Sequence, residues 1–182
     1  MSEHVVEDPV LRQRYVFRHA SAADGVDVLE VELWVGPGGG VVPHLHPTFE
    51  ERFEVLEGEV AFVVGRRRVR ARAGESVVVA PGVRHTYANK SGSDAHLRCH
   101  ARPATVELQQ FLEDAAALGR MGSYTRQALP RSLRGLLQLA VMARHYRAST
   151  VILRPPPWLH GVLIAPLARL GELRGHRAGN FA

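Results

Sequence analysis

The run Gly38-Gly39-Gly40-Val41-Val42-Pro43-His44-Leu45-His46-Pro47-Thr48-Phe49-Glu50-Glu51-Arg52-Phe53-Glu54-Val55-Leu56-Glu57-Gly58 places two histidines and an acidic cluster between two glycines. Alternate residues of an extended strand share a face, so His44 and His46 project their imidazoles toward the same side. Glu51 can return a carboxylate from the next strand. His85 lies on a later strand whose alternate residues, Tyr87 and Asn89, share its face. Three imidazoles and one carboxylate would then meet inside the sheet. Such a mixture of donors suits one divalent transition metal ion, with iron or manganese first and nickel, zinc or copper as alternatives. Magnesium and calcium would ask for oxygen ligands alone.

Outward from this run, residues 26–102 are short apolar or alternating stretches cut by Gly and Pro, the pattern of consecutive strands in a sandwich or barrel. Leu29, Val31, Leu33 and Val35 alternate with Glu30, Glu32 and Trp34. Arg68, Arg70 and Arg72 alternate with Val69, Ala71 and Ala73, which predicts a strand with one wet face. Ser76 to Ala80 reads as a continuous apolar strand covered on both sides, stopped by Pro81-Gly82. An N-terminal strand segment precedes these runs. His96, Arg98, His100 and Arg102 form a polar face, a solvated surface or dimer rim, opposite Leu97, Cys99 and Ala101, where Cys99 is expected to be inert packing. Gly38-Gly39-Gly40 lacks the Lys-Ser/Thr of a phosphate loop and reads as a strand-end turn, and Asn89 is expected to hold a turn or strand end.

The spacing Gly38, His44, His46, Glu51, Gly58 resembles the first motif of the cupins, and Gly74-Glu75-Ser76-Val77-Val78-Val79-Ala80-Pro81-Gly82-Val83-Arg84-His85-Thr86-Tyr87-Ala88-Asn89 resembles the second. One position departs: Ala80 stands where the family has a proline, with Pro81 beside it, so the turn is adjusted rather than lost. The 15 intervening residues, Glu59 to Ala73, suggest a compact microbial single-barrel member. The resemblance covers roughly residues 26 to 103. It implies a mainly β, jelly-roll barrel over residues 1–103, with His44, His46, Glu51 and His85 matching the family's four metal ligands. The family spans dioxygenases, decarboxylases, isomerases, storage proteins and sensors, so the fold alone names no reaction.

Four ligands on an octahedral ion leave two positions open, as a catalytic rather than a closed structural site requires. The expected function is an oxygenase- or isomerase-type enzyme acting on a small oxygen-rich organic molecule. A metabolite-binding sensor that signals through the basic tail is the alternative, and a purely structural dimer with a vestigial ion is a third reading. Tyr87 is the candidate catalytic side chain. Phe53, Val55, Phe62 and Tyr87 are candidate pocket-lining residues, although barrel interiors are usually filled by such side chains.

After Pro103 the apolar period lengthens from 2 to about 3.6, predicting an α-helical extension over residues 104–182. Leu108, Phe111, Leu112, Ala115 and Leu118 form one stripe, with Thr105 as cap and Gly119 beyond its end. Leu133, Leu136, Leu137, Ala140, Val141 and Arg144 form another, capped by Ser132. Pro155-Pro156-Pro157 then breaks the chain before an apolar segment, Trp158 to Leu173, that Pro166 interrupts. Residues 1–103 carry 13 basic and 14 acidic side chains, a balance of −1, whereas residues 104–182 carry 10 and 4, a balance of +6. The tail's stripes favour packing on the barrel or a second subunit, with interfacial membrane contact as a lesser reading, and nothing supports nucleic-acid binding. A homodimer is expected. The acidic, polar start lacks the features of a secretory leader, and Cys99 is the only cysteine, so a cytoplasmic protein is expected.

Overall fold

A computed structural model describes residues 4–179; Met1–Glu3, the start of the segment read above as lacking a leader, and residues 180–182 lie outside it. Ten strands come first: β1 (Val5–Asp8), β2 (Gln13–Ser21), β3 (Asp27–Val35), β4 (His44–Leu45), β5 (Glu50–Glu57), β6 (Glu59–Val64), β7 (Arg67–Arg72), β8 (Ser76–Val79), β9 (His85–Ala88) and β10 (Ala95–Arg102). Helices α1 (Val106–Arg120) and α2 (Leu133–His145), the short strand β11 (Val151–Ile152) and helix α3 (Ala165–Leu173) follow.

The strands form two facing antiparallel sheets, ordered β1-β2-β3-β10-β5-β8 and β11-β4-β9-β6-β7. Alternation decides which side of each strand enters the space between them. Leu29, Val31, Leu33 and Val35 of β3, Phe53 and Val55 of β5, Phe62 of β6 and Leu97 of β10 are all buried there. The opposite face of β3 and β10 carries an ionic lattice: Arg98 and His96 meet Glu32 at 2.9 and 2.6 Å, and His100 meets Glu30 at 3.1 Å. The register that pairs Arg98 with Glu32 and His100 with Glu30 sets these groups directly across the ladder. The polar face predicted for β10 is therefore occupied by carboxylates of β3.

The run from Ser76 is not covered on both sides. β8 is an edge strand whose residues alternate, leaving Val78 47% exposed while Val77 and Val79 are buried. Its continuous apolar character reflects one inward row and an outward valine.

Both predicted helices form with the expected caps: Thr105 accepts the Leu108 amide and Ser132 that of Gly135. Gly119, expected beyond the first helix, lies inside it. A Cβ there would stand 2.8 Å from Asp8 Oδ1, so the glycine lets α1 approach the end of β1. Pro166 does not interrupt the last segment either. It stands at the junction where the π turn His160–Ile164 passes into α3, and with Pro157–Leu159 (a 3-10 turn) these segments form one helical run. Gly171 brings this run onto α2, since a Cβ would lie 2.8 Å from Val141 Cγ2.

Candidate metal centre

His44 on β4 pairs directly with His85 on β9, and their rings lie 4.1 Å apart. His46, just past β4, sets its ring 4.9 Å from that of His44. Glu51 comes from β5 in the facing sheet, so the four groups bridge the two sheets rather than sharing one. All four residues are buried, and one donor atom from each lies within 4.8 Å of the others.

The hydrogen bonds behind the rings determine what the rings present in front. Nδ1 of His44 faces the Val42 carbonyl at 2.9 Å, Nδ1 of His46 faces that of Ser149 at 2.9 Å, and Nδ1 of His85 faces that of Val83 at 3.1 Å. A carbonyl only accepts, so each Nδ1 carries the proton and each neutral imidazole turns a bare Nε2 toward the centre. Glu51 Oε2 stands 2.8 Å from His85 Nε2 and 3.2 Å from His46 Nε2. These approaches lack hydrogen-bond alignment, leaving His46 Nε2, His85 Nε2 and Glu51 Oε2 buried without a hydrogen-bond partner. Burial without partners is costly unless another species satisfies the atoms. Donors about 2.1 Å from one ion would stand about 3 Å from their neighbours, and the two approaches to Glu51 Oε2, 2.8 and 3.2 Å, match that spacing.

Burial, reinforced by its two imidazole neighbours, pushes His44 down to about 3. Burial also acts against a charged His46, but the Glu51 carboxylate outweighs it and holds that imidazole above its ordinary value. Burial alone would raise Glu51, yet His46 and His85 hold it well below the usual carboxylate range. The site thus retains an ionised oxygen donor. Its other oxygen, Oε1, is contacted by the Cys99 thiol at 3.7 Å. Burial raises that thiol's pKa, so it remains a donor, and Cys99 supports the site rather than merely filling space.

Tyr87 lies on the inward face of β9, two residues past His85, and its hydroxyl donates to Gln13 Oε1 at 3.2 Å. The Tyr15 hydroxyl donates to the same oxygen, while Gln13 Nε2 is buried without a partner. Burial raises Tyr87 well above an ordinary phenol, so its proton stays on. Phe53, Phe62 and Tyr87 form a block of rings 5.4 to 5.8 Å apart, with Phe53 6.5 Å from His85; Val55 is fully buried. Two clefts of about 500 Å³ lie away from the four donors. One is lined by Gln13 together with Asp8, Arg14 and Trp34, so Gln13 stands between that cleft and Tyr87. Asn89 ties the end of β9, donating to the Val35 and Ser93 carbonyls.

The helical tail also enters the site, a feature the sequence reading missed. Residues 148–153 cross the outer edge of β4 as a strap: β11 pairs Val151 with Leu45 and Ile152 with His44, and Leu153 N donates to the Pro43 carbonyl at 3.1 Å. The Ser149 carbonyl that orients His46 belongs to this strap.

A family model, described as the cupin domain, matches residues 31–100. A comparison with curated proteins finds no match. Among solved structures, KdgF from Halomonas sp. superposes with a TM-score of 0.51 at 16% identity, covering 58% of this chain and 91% of that one. An RmlC-like cupin from Shewanella frigidimarina NCIMB 400 gives a TM-score of 0.51 at 19% identity, covering 59% and 89%. Residues 31–100, with the two matching motifs, the facing antiparallel sheets and the inward ligand set, thus form a cupin domain.

Proposed function

We propose that this protein is a metal-dependent cupin that binds a small oxygen-rich organic molecule at the His44, His46, Glu51 and His85 centre and acts as an oxygenase- or isomerase-type enzyme. One observation carries the reading: three imidazoles, each tied through Nδ1 to a backbone carbonyl, turn bare Nε2 atoms toward an ionised, buried carboxylate. A divalent transition ion held by His44, His46, Glu51 and His85 would supply Lewis acidity for polarising a carbonyl or enol and, in the case of iron, access to dioxygen chemistry. The chain's own groups divide the remaining work. The strap holds His46 in one tautomer, Cys99 fixes the far oxygen of Glu51, and the Phe53–Phe62–Tyr87 block keeps water from the inner side of the ligands. Tyr87, held protonated, acts as a hydrogen-bond donor rather than a base. We place the protein in the cytoplasm, as a homodimer joined through its barrel.

A second reading has its own support. A sensor needs a path from the ligand site to a signalling surface, and the strap joins His46 directly to the helical tail. Metal analysis of untagged protein, followed by dioxygen-uptake and isomerisation screens with phenols, diketones and sugar acids, separates the readings. About one transition ion per chain with turnover of any candidate supports the enzyme. A co-purifying molecule released unchanged supports the sensor. Failure to retain any divalent ion after reconstitution refutes both.

A further inference from the structure

The helical run over residues 157–173 is apolar on both sides. Its inward side, through Ile164, Leu167, Ala168 and Gly171, packs against Ala140 and Val141 of α2. Its outward side repeats Trp158, Val162, Leu163, Leu170 and Leu173, which are exposed by 77, 71, 44, 38 and 77%. A helix apolar all round normally has both faces covered, and a patch of this kind on a soluble surface marks a contact site.

Charge decides what covers it. Residues 120–179 contain ten arginines and a single acid, Glu172, which Arg144 engages at 3.2 Å. Arg154, Arg169 and Arg174 are exposed along the apolar row and at its ends. A two-fold contact between copies through this face would crowd these arginines against their own counterparts, and the one acid of residues 120–179, Glu172, is already engaged by Arg144. An anionic bilayer supplies both an apolar layer for the tryptophan and leucines and negative headgroups for the guanidinium groups. We propose that the outward face of residues 157–173 docks this protein on the surface of an anionic lipid bilayer, with the helix axis in the interfacial plane.

The contact is tangential. At 1.5 Å per residue the run is about 25 Å long, short of the roughly 30 Å hydrocarbon core. Among the described residues no helix is long and apolar enough to cross a membrane. The strap leads straight from the edge of the ligand site into this run, so docking would hold the barrel close to the lipid surface.

The test sediments the full chain with vesicles of neutral phosphatidylcholine and with vesicles containing about one-third phosphatidylglycerol. Binding should be at least about 10-fold tighter to the anionic vesicles and should fade as salt approaches about 0.5 M. In a Trp34→Phe background, Trp158 emission should shift to the blue on addition of those vesicles. Val162→Asp and Leu173→Asp alter exposed positions, so they should leave circular dichroism and thermal midpoint intact while reducing vesicle binding about 10-fold. Equal partition into both vesicle types, no binding at low salt, or unchanged binding by both variants overturns the proposal. So does dissociation of a dimer by Val162→Asp without any vesicle effect, which would assign the face to a second copy.

Discussion

The barrel and the tail depart from ordinary patterning in opposite directions. In the barrel, strand alternation assigns inward positions to apolar side chains, yet His44, Glu51 and His85 occupy such positions and are buried with His46. In the tail, outward positions on a surface helix belong to polar side chains, yet Trp158, Val162 and Leu173 occupy them. Elsewhere the pattern holds: the outer face of β3 and β10 pairs Glu30 and Glu32 with Arg98, His96 and His100, and the buried Glu32 is enclosed by these partners. A local breach of the inside–outside rule marks a place where the chain alone does not satisfy its own groups. Inside the barrel the missing partner has the chemistry of a cation. Outside the tail it has that of an apolar, anionic layer.

The largest effect is expected at the barrel's breach. His85→Ala should weaken binding of the transition ion by more than about 100-fold, beyond the cost of losing an outer hydrogen-bond partner. Wild-type protein should gain about 2.7 kcal/mol at an ion concentration 100 times its Kd, read as a rise in thermal midpoint, and the variant should gain almost nothing. Equal gains would reduce the four groups to buried polar packing.

Leu153→Pro tests whether the two regions are independent. It removes the Leu153 amide that donates to the Pro43 carbonyl and loosens the adjoining carbonyl that orients His46, so metal affinity should fall about 10- to 100-fold while the barrel's circular dichroism is kept. Unchanged affinity would make the tail a passenger. Gly171→Ala provides the contrast: its Cβ would press on Val141 Cγ2, destabilising the α2–α3 contact by about 1 kcal/mol or somewhat more, with metal affinity unaffected. Denaturation curves and metal titrations of the same sample separate the two effects.

The smallest effect belongs to the face that obeys the rule. Burial would raise Glu32, but Arg98 and His96 hold it below its ordinary value of 4.5. Its stabilisation is therefore fully present above that ordinary value and is lost as pH falls through the lower folded-state value. Glu32→Gln should cost about 1 kcal/mol or less near neutrality, because Glu32 is buried but its partners Arg98 and His96 stay partly open to solvent, and its curve should converge with wild type in acid.

How much of this was legible in the sequence follows from the range of each signal. The strands announce themselves by alternation, and the helices by their stripes and the caps Thr105 and Ser132, all within a few residues. The ligands were legible because the spacing of His44, His46, Glu51 and His85 is a property of side-chain types. The strap was not: it rests on a backbone carbonyl 103 positions from His46 and on a two-residue strand, neither of which requires a particular side chain. The hydroxyls of Tyr15 and Tyr87 meeting on Gln13 were missed for a similar reason, since that contact depends on sheet closure. Gly119 reads as helix punctuation, whereas a close approach to Asp8 accounts for it, as one to Val141 does for Gly171.

The strap also imposes an order on the protein's birth. A ribosome releases His44, His46, Glu51 and His85 well before it reaches Ser149, so the emerging barrel has every ligand but lacks the carbonyl that sets one of them. The centre attains its final form only after residues 148–153 have been made and have folded back, which makes maturation of the site wait on a segment outside the barrel.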